Sequence, residues 1–165
     1  MATTQFSQSS IPYPLTTKDL KIGIAFTEWN KHITSILLKG AVDTLLDAGL
    51  NQEQIQVASI PGAFELPLAA QMLFNTQCDA VLCFGAVVRG ETPHFDYVCK
   101  AATEGILKVG LDQNKPCIFG VLTVDNEAQA MERCGGVHGH KGKEAATTAL
   151  WMLAVNQKLN ERPLF

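Results

Sequence analysis

The apolar run Ala80–Val88 constrains the fold of this chain more than any other feature of its sequence. The run reads AVLCFGAVV and contains no polar or charged side chain. A strand of this kind has to be covered on both faces, which is typical of the central strands of a parallel sheet. The sequence therefore predicts a sheet with helices packed on both of its sides.

Three further strand candidates surround this run, and predicted helices separate the four strands along the chain. The other strands are predicted at residues 21–26, Ile55–Ile60 and Cys117–Val124. Helices are predicted from about residue 33 to Gly49, from Glu65 or Pro67 to about Asn75, behind Thr92-Pro93, over residues 127–134 and over residues 143–160, with a glycine-rich loop at 135–142. We interpret Thr92 as the N-cap of the third helix, whose inward stripe is predicted to be Tyr97, Val98, Ala101, Ala102, Ile106 and Val109. The order predicts a parallel α/β domain with right-handed crossovers over residues 18–165, after a polar arm of residues 1–17.

Composition and charge narrow the classes of partner. The chain of 165 residues is 47% hydrophobic and 18% charged, with a formal net charge of −3, which excludes a disordered chain. Globular domains carry about 25% charged residues, so the shortage indicates either an ordinary monomer or extra surface buried against other subunits. The slightly acidic balance argues against nucleic acid and anionic membranes as partners.

Cysteine usage and the N-terminal residues predict a cytoplasmic protein. Residues 1–17 have no positive charge before Lys18 and no apolar core, so we expect no secretory signal there. No segment approaches the ~20 apolar residues of a membrane span. The five cysteines are Cys78, Cys83, Cys99, Cys117 and Cys134, without C-x-x-C spacing. We interpret them as reduced thiols and predict no metal site.

The loops that follow the strands are the expected binding positions, because ligands of open α/β sheets lie beyond the carboxyl ends of the strands. After the first strand, Trp29 either stacks on a planar ligand or only packs the first helix. After the second strand, Glu65 either accepts hydrogen bonds from sugar-like hydroxyls or favours the start of a helix.

The third loop, residues 89–94, is the most informative. It places free backbone N–H groups and the positive end of a helix dipole at the end of the sheet, where anions bind. His94 either exchanges protons with a bound phosphate ester or is structural. Glu91 would repel phosphate unless its side chain faces water. Arg133 and Lys141 either contact a phosphate or polar ring or are ordinary surface charges.

Several common function classes lack their motif. The chain contains no G-x-G-x-x-G and no G-x-x-x-x-G-K-[ST], which disfavours nicotinamide and P-loop nucleotide functions. It contains no G-x-S-x-G, which disfavours an α/β-hydrolase. The third strand ends in Val87-Val88-Arg89 and not in the aspartate expected of a response regulator.

Five collinear segments between about residues 21 and 159 identify a family. They are Trp29-Asn30, residues 61–67 (PGAFELP), 85–97 (GAVVRGETPHFDY), 119–123 (FGVLT) and 132–135 (ERCG). Together they closely resemble the 6,7-dimethyl-8-ribityllumazine synthase family. The resemblance implies a flavodoxin-like, three-layer α/β/α fold whose N-terminal arm adds an edge strand, and a transferase of riboflavin biosynthesis. The implied reaction condenses 5-amino-6-(D-ribitylamino)uracil with 3,4-dihydroxy-2-butanone 4-phosphate, releases phosphate and water, and needs no cofactor.

The resemblance also implies a role for each matching position. Trp29 stacks on the pyrimidine; Ala63, Phe64 and Glu65 hold the ribityl chain; Ala86, Val87 and Val88 bind the pyrimidine edge through their backbone; Gly90, Glu91 and Thr92 hold phosphate with Arg133; His94 transfers protons; Phe119 comes from a neighbouring subunit; and Lys141 and Glu144 form a pair near Arg133. Three differences stand out: Trp29 replaces the phenylalanine of many relatives, Glu91 replaces a small or neutral residue, and the 135–142 loop lacks the asparagine common before the lysine.

The assembly and two rival functions stay open at this point. The family forms pentamers, paired pentamers and sixty-subunit icosahedral shells, and the absence of an insertion before the last helix favours the shell. Pro12 and Pro14 limit how the arm adds a strand to a neighbour's sheet. Riboflavin synthase is a candidate partner. The rivals are a flavodoxin-like module that binds flavin or nucleotide without turnover, and a shell-forming chain that has lost activity.

Overall fold

The computed structural model describes residues 11–161, and its main sheet contains the four predicted parallel strands. Along the chain these are β1 (Ile22–Thr27), β2 (Ile55–Ile60), β3 (Ala80–Val88) and β4 (Cys117–Val124), arranged in the order β2-β1-β3-β4. The helices are α1 (Lys31–Asp47), α2 (Leu66–Asn75), α3 (His94–Gln113), α4 (Glu127–Met131) and α5 (Lys141–Asn160), and 3₁₀ turns occupy Gln52–Gln54 and Ala63–Glu65. The predicted three-layer α/β/α fold is confirmed.

The covering of β3 explains why its sequence is apolar throughout. Leu82 and Phe84 point toward α1 and α5, in a cluster with Ile24 and Leu150. Val81 and Cys83 point the opposite way, into the cluster formed with α2 and α3. Alternate residues of a strand face opposite sides of a sheet, so β3 needs apolar side chains at every position.

Two glycines let α1 and α5 cross at very short range. A Cβ at Gly142 would come within 2.1 Å of the Leu37 carbonyl oxygen, and one at Gly40 would come within 2.1 Å of the His140 ring. The crossing therefore has no room for larger residues, and it fixes where α5 begins next to Lys141.

Four predicted boundaries at the end of the chain and at β1 differ from the structure. β1 is shifted by one residue, α4 ends at Met131, and α5 begins at Lys141. The predicted 135–142 loop is wrong, because Cys134–Gly136 (β5) and Gly139–His140 (β6) pair as an antiparallel hairpin. Gly135 and Gly139 supply the positive φ angles of 116° and 77° that the hairpin needs. Strands of two or three residues are too short to show alternation in a sequence.

Two predictions for α3 are also wrong. Thr92 is not the N-cap, because the helical turn starts at Pro93, whose carbonyl accepts the N–H groups of Asp96 and Tyr97. Tyr97 does not face the core, since its side chain is 73% exposed. It lies two residues after the buried Phe95, which places it on nearly the opposite side of the helix.

The described part of the arm is held by side chains and not by strand pairing. Residues 11–17 contain no strand. The Gln157 side chain accepts the N–H of Thr16 and donates to its carbonyl, at 3.0 and 2.9 Å. The rest of the arm, residues 1–10, lies outside the described residues, so the expected edge strand stays a prediction. None of the helices within residues 11–161 is long and apolar enough to span a membrane.

Candidate active site

The loops after β1 and β2 form one surface at the carboxyl end of the sheet. Two backbone hydrogen bonds join them, from Glu28 N–H to the Ile60 carbonyl and from Trp29 N–H to the Pro61 carbonyl, at 2.7 and 3.1 Å. A Cβ placed on Gly62 would lie 2.8 Å from Trp29 Cε3. The missing side chain therefore lets the Trp29 ring lie against the backbone of the second loop.

Glu65 completes this surface. A Cβ placed on Gly62 would also lie 3.2 Å from Glu65 Oε2. The Glu65 carboxylate and the Trp29 indole ring therefore both lie next to Gly62. The Trp29 side chain is 68% exposed, so most of its surface faces solvent and is not buried against the first helix. Phe64 is exposed and Ala63 is buried, so this turn presents one aromatic ring and one carboxylate to solvent.

Asn30 ties the first loop to the end of β3. Its backbone has a left-handed conformation with φ of 57°, which asparagine tolerates better than most residues. Its side-chain nitrogen donates to the Ala86 carbonyl at 2.8 Å. The Ala86 carbonyl therefore already accepts one hydrogen bond. The next two residues, Val87 and Val88, form the half-buried end of β3.

The third loop has the geometry expected of an anion site. No hydrogen bond from the backbone N–H groups of Gly90, Glu91 or Thr92 to another residue of the range 11–161 is found. The positive end of the α3 dipole adds to their field. His94 is the first residue of α3, and its side chain is exposed at the same end of the sheet. Glu91 is exposed as well.

The remaining predicted site residues lie in a different place, along the open edge of β4. A groove of about 490 Å³ runs there. Its lining includes Phe119, Arg133, Lys141 and Glu144, and we call it the edge groove. Phe119 is 41% exposed, and Lys141 Nζ lies 2.7 Å from Glu144 Oε2.

Short elements orient the two cations of the edge groove. The Arg133 guanidinium donates to the Gln129 carbonyl at 2.8 Å, and the Arg133 carbonyl accepts the Lys141 N–H at 2.8 Å. The Asn126 side chain caps α4 by accepting the Gln129 N–H. Arg133 therefore leaves a capped helix with its side chain directed by that helix's own backbone.

Register along β3 and β4 places the Phe119 end of the edge groove far from the strand ends. Phe119 pairs with Cys83, whereas the strands finish at the pair Val88 and Val124. Five residues at about 3.3 Å each place Phe119 roughly 16 Å before the strand ends. A phenyl side chain does not span that distance. The structure therefore brings the predicted residues together in two groups. One is the edge groove. The other, which we call the strand-end group, contains Trp29, Glu65, residues 90–92 and His94.

The pKa values of His140 and Glu28, which lie near these groups, are both lowered. Desolvation lowers the pKa of His140, and the Lys143 charge lowers it further; the His140 ring accepts the Lys143 N–H at 3.4 Å at the start of α5. Next to Trp29, the hydrogen bond from Ser59 lowers the pKa of Glu28, and Lys31 adds to this effect. Glu28 is therefore anionic at neutral pH.

Sequence reasoning missed Arg89, which follows β3. Its guanidinium carbon lies 4.1 Å from the centre of the Phe95 ring, and Nε donates to Asp125 at 3.0 Å. A lone arginine directly after a buried strand, in a chain with few charges, is the signal that could have found it.

Comparison with known proteins gives a consistent result. The sequence model of the 6,7-dimethyl-8-ribityllumazine synthase family matches residues 19–157. A protein of that name from Porphyromonas gingivalis is 52% identical over 141 residues, which cover 85% of this chain and 88% of the relative. Another from Cytophaga hutchinsonii is 53% identical over 133 residues, covering 80% and 84%, and one from Protochlamydia amoebophila is 46% identical over 141 residues, covering 85% and 82%. This chain therefore belongs to the 6,7-dimethyl-8-ribityllumazine synthase family.

Proposed function

We propose that this enzyme condenses 5-amino-6-(D-ribitylamino)uracil with 3,4-dihydroxy-2-butanone 4-phosphate at the strand-end group. The observation that carries the proposal is the shared position of three different chemistries at one end of the sheet. An exposed indole face at Trp29 suits the pyrimidine ring. The Glu65 carboxylate suits the ribityl hydroxyls, and the backbone N–H groups of residues 90–92 suit phosphate.

The reaction needs positioning and proton transfer but no redox step. The pyrimidine amine attacks the ketone carbon, and the ketone oxygen leaves as water to give a Schiff base. Loss of a proton from the neighbouring carbon and departure of phosphate with the C–O electron pair give an enol, which becomes a second carbonyl. The ribityl-bearing nitrogen attacks that carbonyl, and a second water leaves. His94, exposed beside the phosphate loop, carries the protons in these steps.

Holding the two substrates together supplies most of the rate in this proposal. The steps run slowly in water without a catalyst, so a site that fixes both substrates gains mainly from proximity. The contribution of His94 is then smaller than the ~10²–10⁴-fold typical of general acid–base catalysis.

The cationic part of the site comes from a second copy of the chain. Within residues 11–161, the cation next to the phosphate loop, Arg89, is already paired with Asp96 and Asp125. Phe119, Arg133 and Lys141 line the edge groove, and the register places Phe119 roughly 16 Å before the strand ends. We propose that the edge groove of one subunit covers the strand-end group of the next.

Such a contact repeats around a ring, because one surface meets a different surface on the neighbour. We propose pentamers, with further assembly of pentamers into a shell, and we keep riboflavin synthase as a candidate partner. The odd number of cysteines favours the cytosol as the compartment of the enzyme. Light scattering distinguishes a pentamer, a decamer and a sixty-subunit shell.

Incubation with both substrates tests the function directly. Lumazine absorbance and released phosphate should rise together in a ratio of about one to one, as the bond changes require. Omitting either substrate is the matched control, and both signals should then stay at the uncatalysed level. Tight binding of flavin without any turnover would instead identify a binding module and refute the proposal.

A further inference from the structure

One side chain joins the two ends of the phosphate loop. Arg89 starts the loop, and its guanidinium stacks on Phe95, the residue after His94, at 4.1 Å. Phe95 itself is buried. This contact therefore joins the two ends of the five-residue segment 90–94.

The same guanidinium also binds both neighbouring elements. Its Nε donates to Asp125, directly after β4, at 3.0 Å, and its Nη1 donates to Asp96, in the first turn of α3, at 3.5 Å. The Arg89 N–H extends the strand pairing to the Val124 carbonyl at 2.8 Å. Arg89 thus links β3, β4 and the start of α3.

We propose that Arg89 is a positioning residue, which sets the phosphate loop and His94 in place without touching substrate. The inference rests on the proposed function and adds a residue to it. The planar guanidinium is suited to this task, because it can stack on an aromatic ring and donate along its edge simultaneously. A lysine could form one ion pair but could not reproduce both contacts.

A direct phosphate contact by Arg89 is the competing explanation. Two of its donor groups already face carboxylates, and its positive charge is balanced by Asp96 and Asp125. Recruiting Arg89 to phosphate would leave those carboxylates next to the bound anion. The two explanations make opposite predictions for Asp125, since removing its charge loosens a positioning arginine but frees a phosphate-binding one.

Steady-state kinetics with Arg89→Met and Asp125→Asn separates these explanations. Positioning predicts that Arg89→Met raises KM for the butanone phosphate by about tenfold, while KM for the pyrimidine changes less than about twofold. Asp125→Asn should raise the same KM by about two- to fivefold, and Arg89→Lys should rescue only part of the loss. Lys39→Gln is the matched control, because it breaks an exposed ion pair to Asp43 on α1, at 2.5 Å, away from the loop.

Three results would overturn the proposal. A lower KM for the butanone phosphate in Asp125→Asn would show that Arg89 binds the phosphate directly. In Arg89→Met, an equal rise in both KM values together with a lower Tm would show that Arg89 only stabilises the fold. An unchanged KM for the butanone phosphate in Arg89→Met would show that Arg89 does not position the loop.

Amide hydrogen exchange provides a measurement that does not depend on turnover. The amides of Asp96 and Tyr97, which donate to the Pro93 carbonyl at the end of the loop, should exchange faster in Arg89→Met than in the wild type or in Lys39→Gln. Unchanged exchange would refute the positioning role. A wild-type enzyme that forms no lumazine would refute the proposed function instead, and the exchange result would still decide the role of Arg89 in the loop.

Discussion

Mixed assemblies of two defective subunits test whether each site is built from two chains. His94→Ala damages the strand-end group, and Arg133→Ala damages the edge groove. Each pure variant is expected to lose about tenfold or more in rate at low concentrations of the butanone phosphate. The two variants are co-expressed with different tags, and assemblies that carry both tags are purified.

The separation of the two groups in the structure sets the expected magnitude. In the proposed assembly, each site takes its strand-end group from one subunit and its edge groove from another. In a random equal mixture, half of the subunits supply an intact strand-end group, and half supply an intact edge groove. About a quarter of the sites are then intact on both sides, so the mixture should recover about a quarter of the wild-type rate.

A second mixture makes this result decisive. A chain carrying both substitutions is co-expressed with the wild type in equal amounts. Shared sites again predict about a quarter of the wild-type rate, whereas sites within one chain predict about one half. The reasoning fails if the first mixture shows no recovery while the second retains one half.

Three further changes test single features of the structure. Gly142→Ala should lower the free energy of unfolding by about 1–3 kcal/mol, because the new Cβ would clash with the Leu37 carbonyl. Chemical denaturation measures this free energy, and an unchanged value would mean that α1 and α5 can move apart at little cost. His140 has a lowered pKa, so the unfolded chain binds more protons and stability should fall as the pH drops below about 6.5. Tm measured against pH should show this loss in the wild type and a shallower one in His140→Gln, and identical profiles would exclude His140 as its source. His94→Ala should retain measurable turnover, since proximity supplies most of the rate; complete loss in an intact assembly would assign His94 a larger role.

The fold was predictable because its strong signals are long and local. The bounds of β2, β3 and β4 agree with the sequence prediction, since apolar strands enclosed by turn residues are recognisable from residue type alone. The β5–β6 hairpin was not recognisable, because a pair of strands this short depends on glycine conformation and not on hydrophobic alternation. The exposure of Tyr97 was missed because α3 presents only a narrow buried stripe.

The candidate site was predictable in its members but not in its arrangement. Motifs identified Trp29, Glu65 and His94, and the position of each at a strand end follows from the order of elements. Arg89 escaped notice because its role depends on three partners that only the fold brings together. The distance between Phe119 and the strand ends also requires the register of β3 and β4, which no local pattern contains.

That register connects the shortage of charge in the sequence to catalysis. The carboxyl ends of the strands and the open edge of β4 are two different sides of the same sheet, and the register places Phe119 on that edge, roughly 16 Å before the strand ends. A ligand that needs the strand-end group together with Phe119 and Arg133 is therefore served best where the edge of one subunit meets the strand ends of the next, as proposed above. Such a contact buries part of the surface of every subunit in the ring. Buried surface needs few charged side chains, which agrees with the low charge content of this chain. An isolated folded subunit should then bind the pyrimidine weakly and turn over no substrate, and dilution of the assembly until it dissociates should abolish activity before it unfolds the chain.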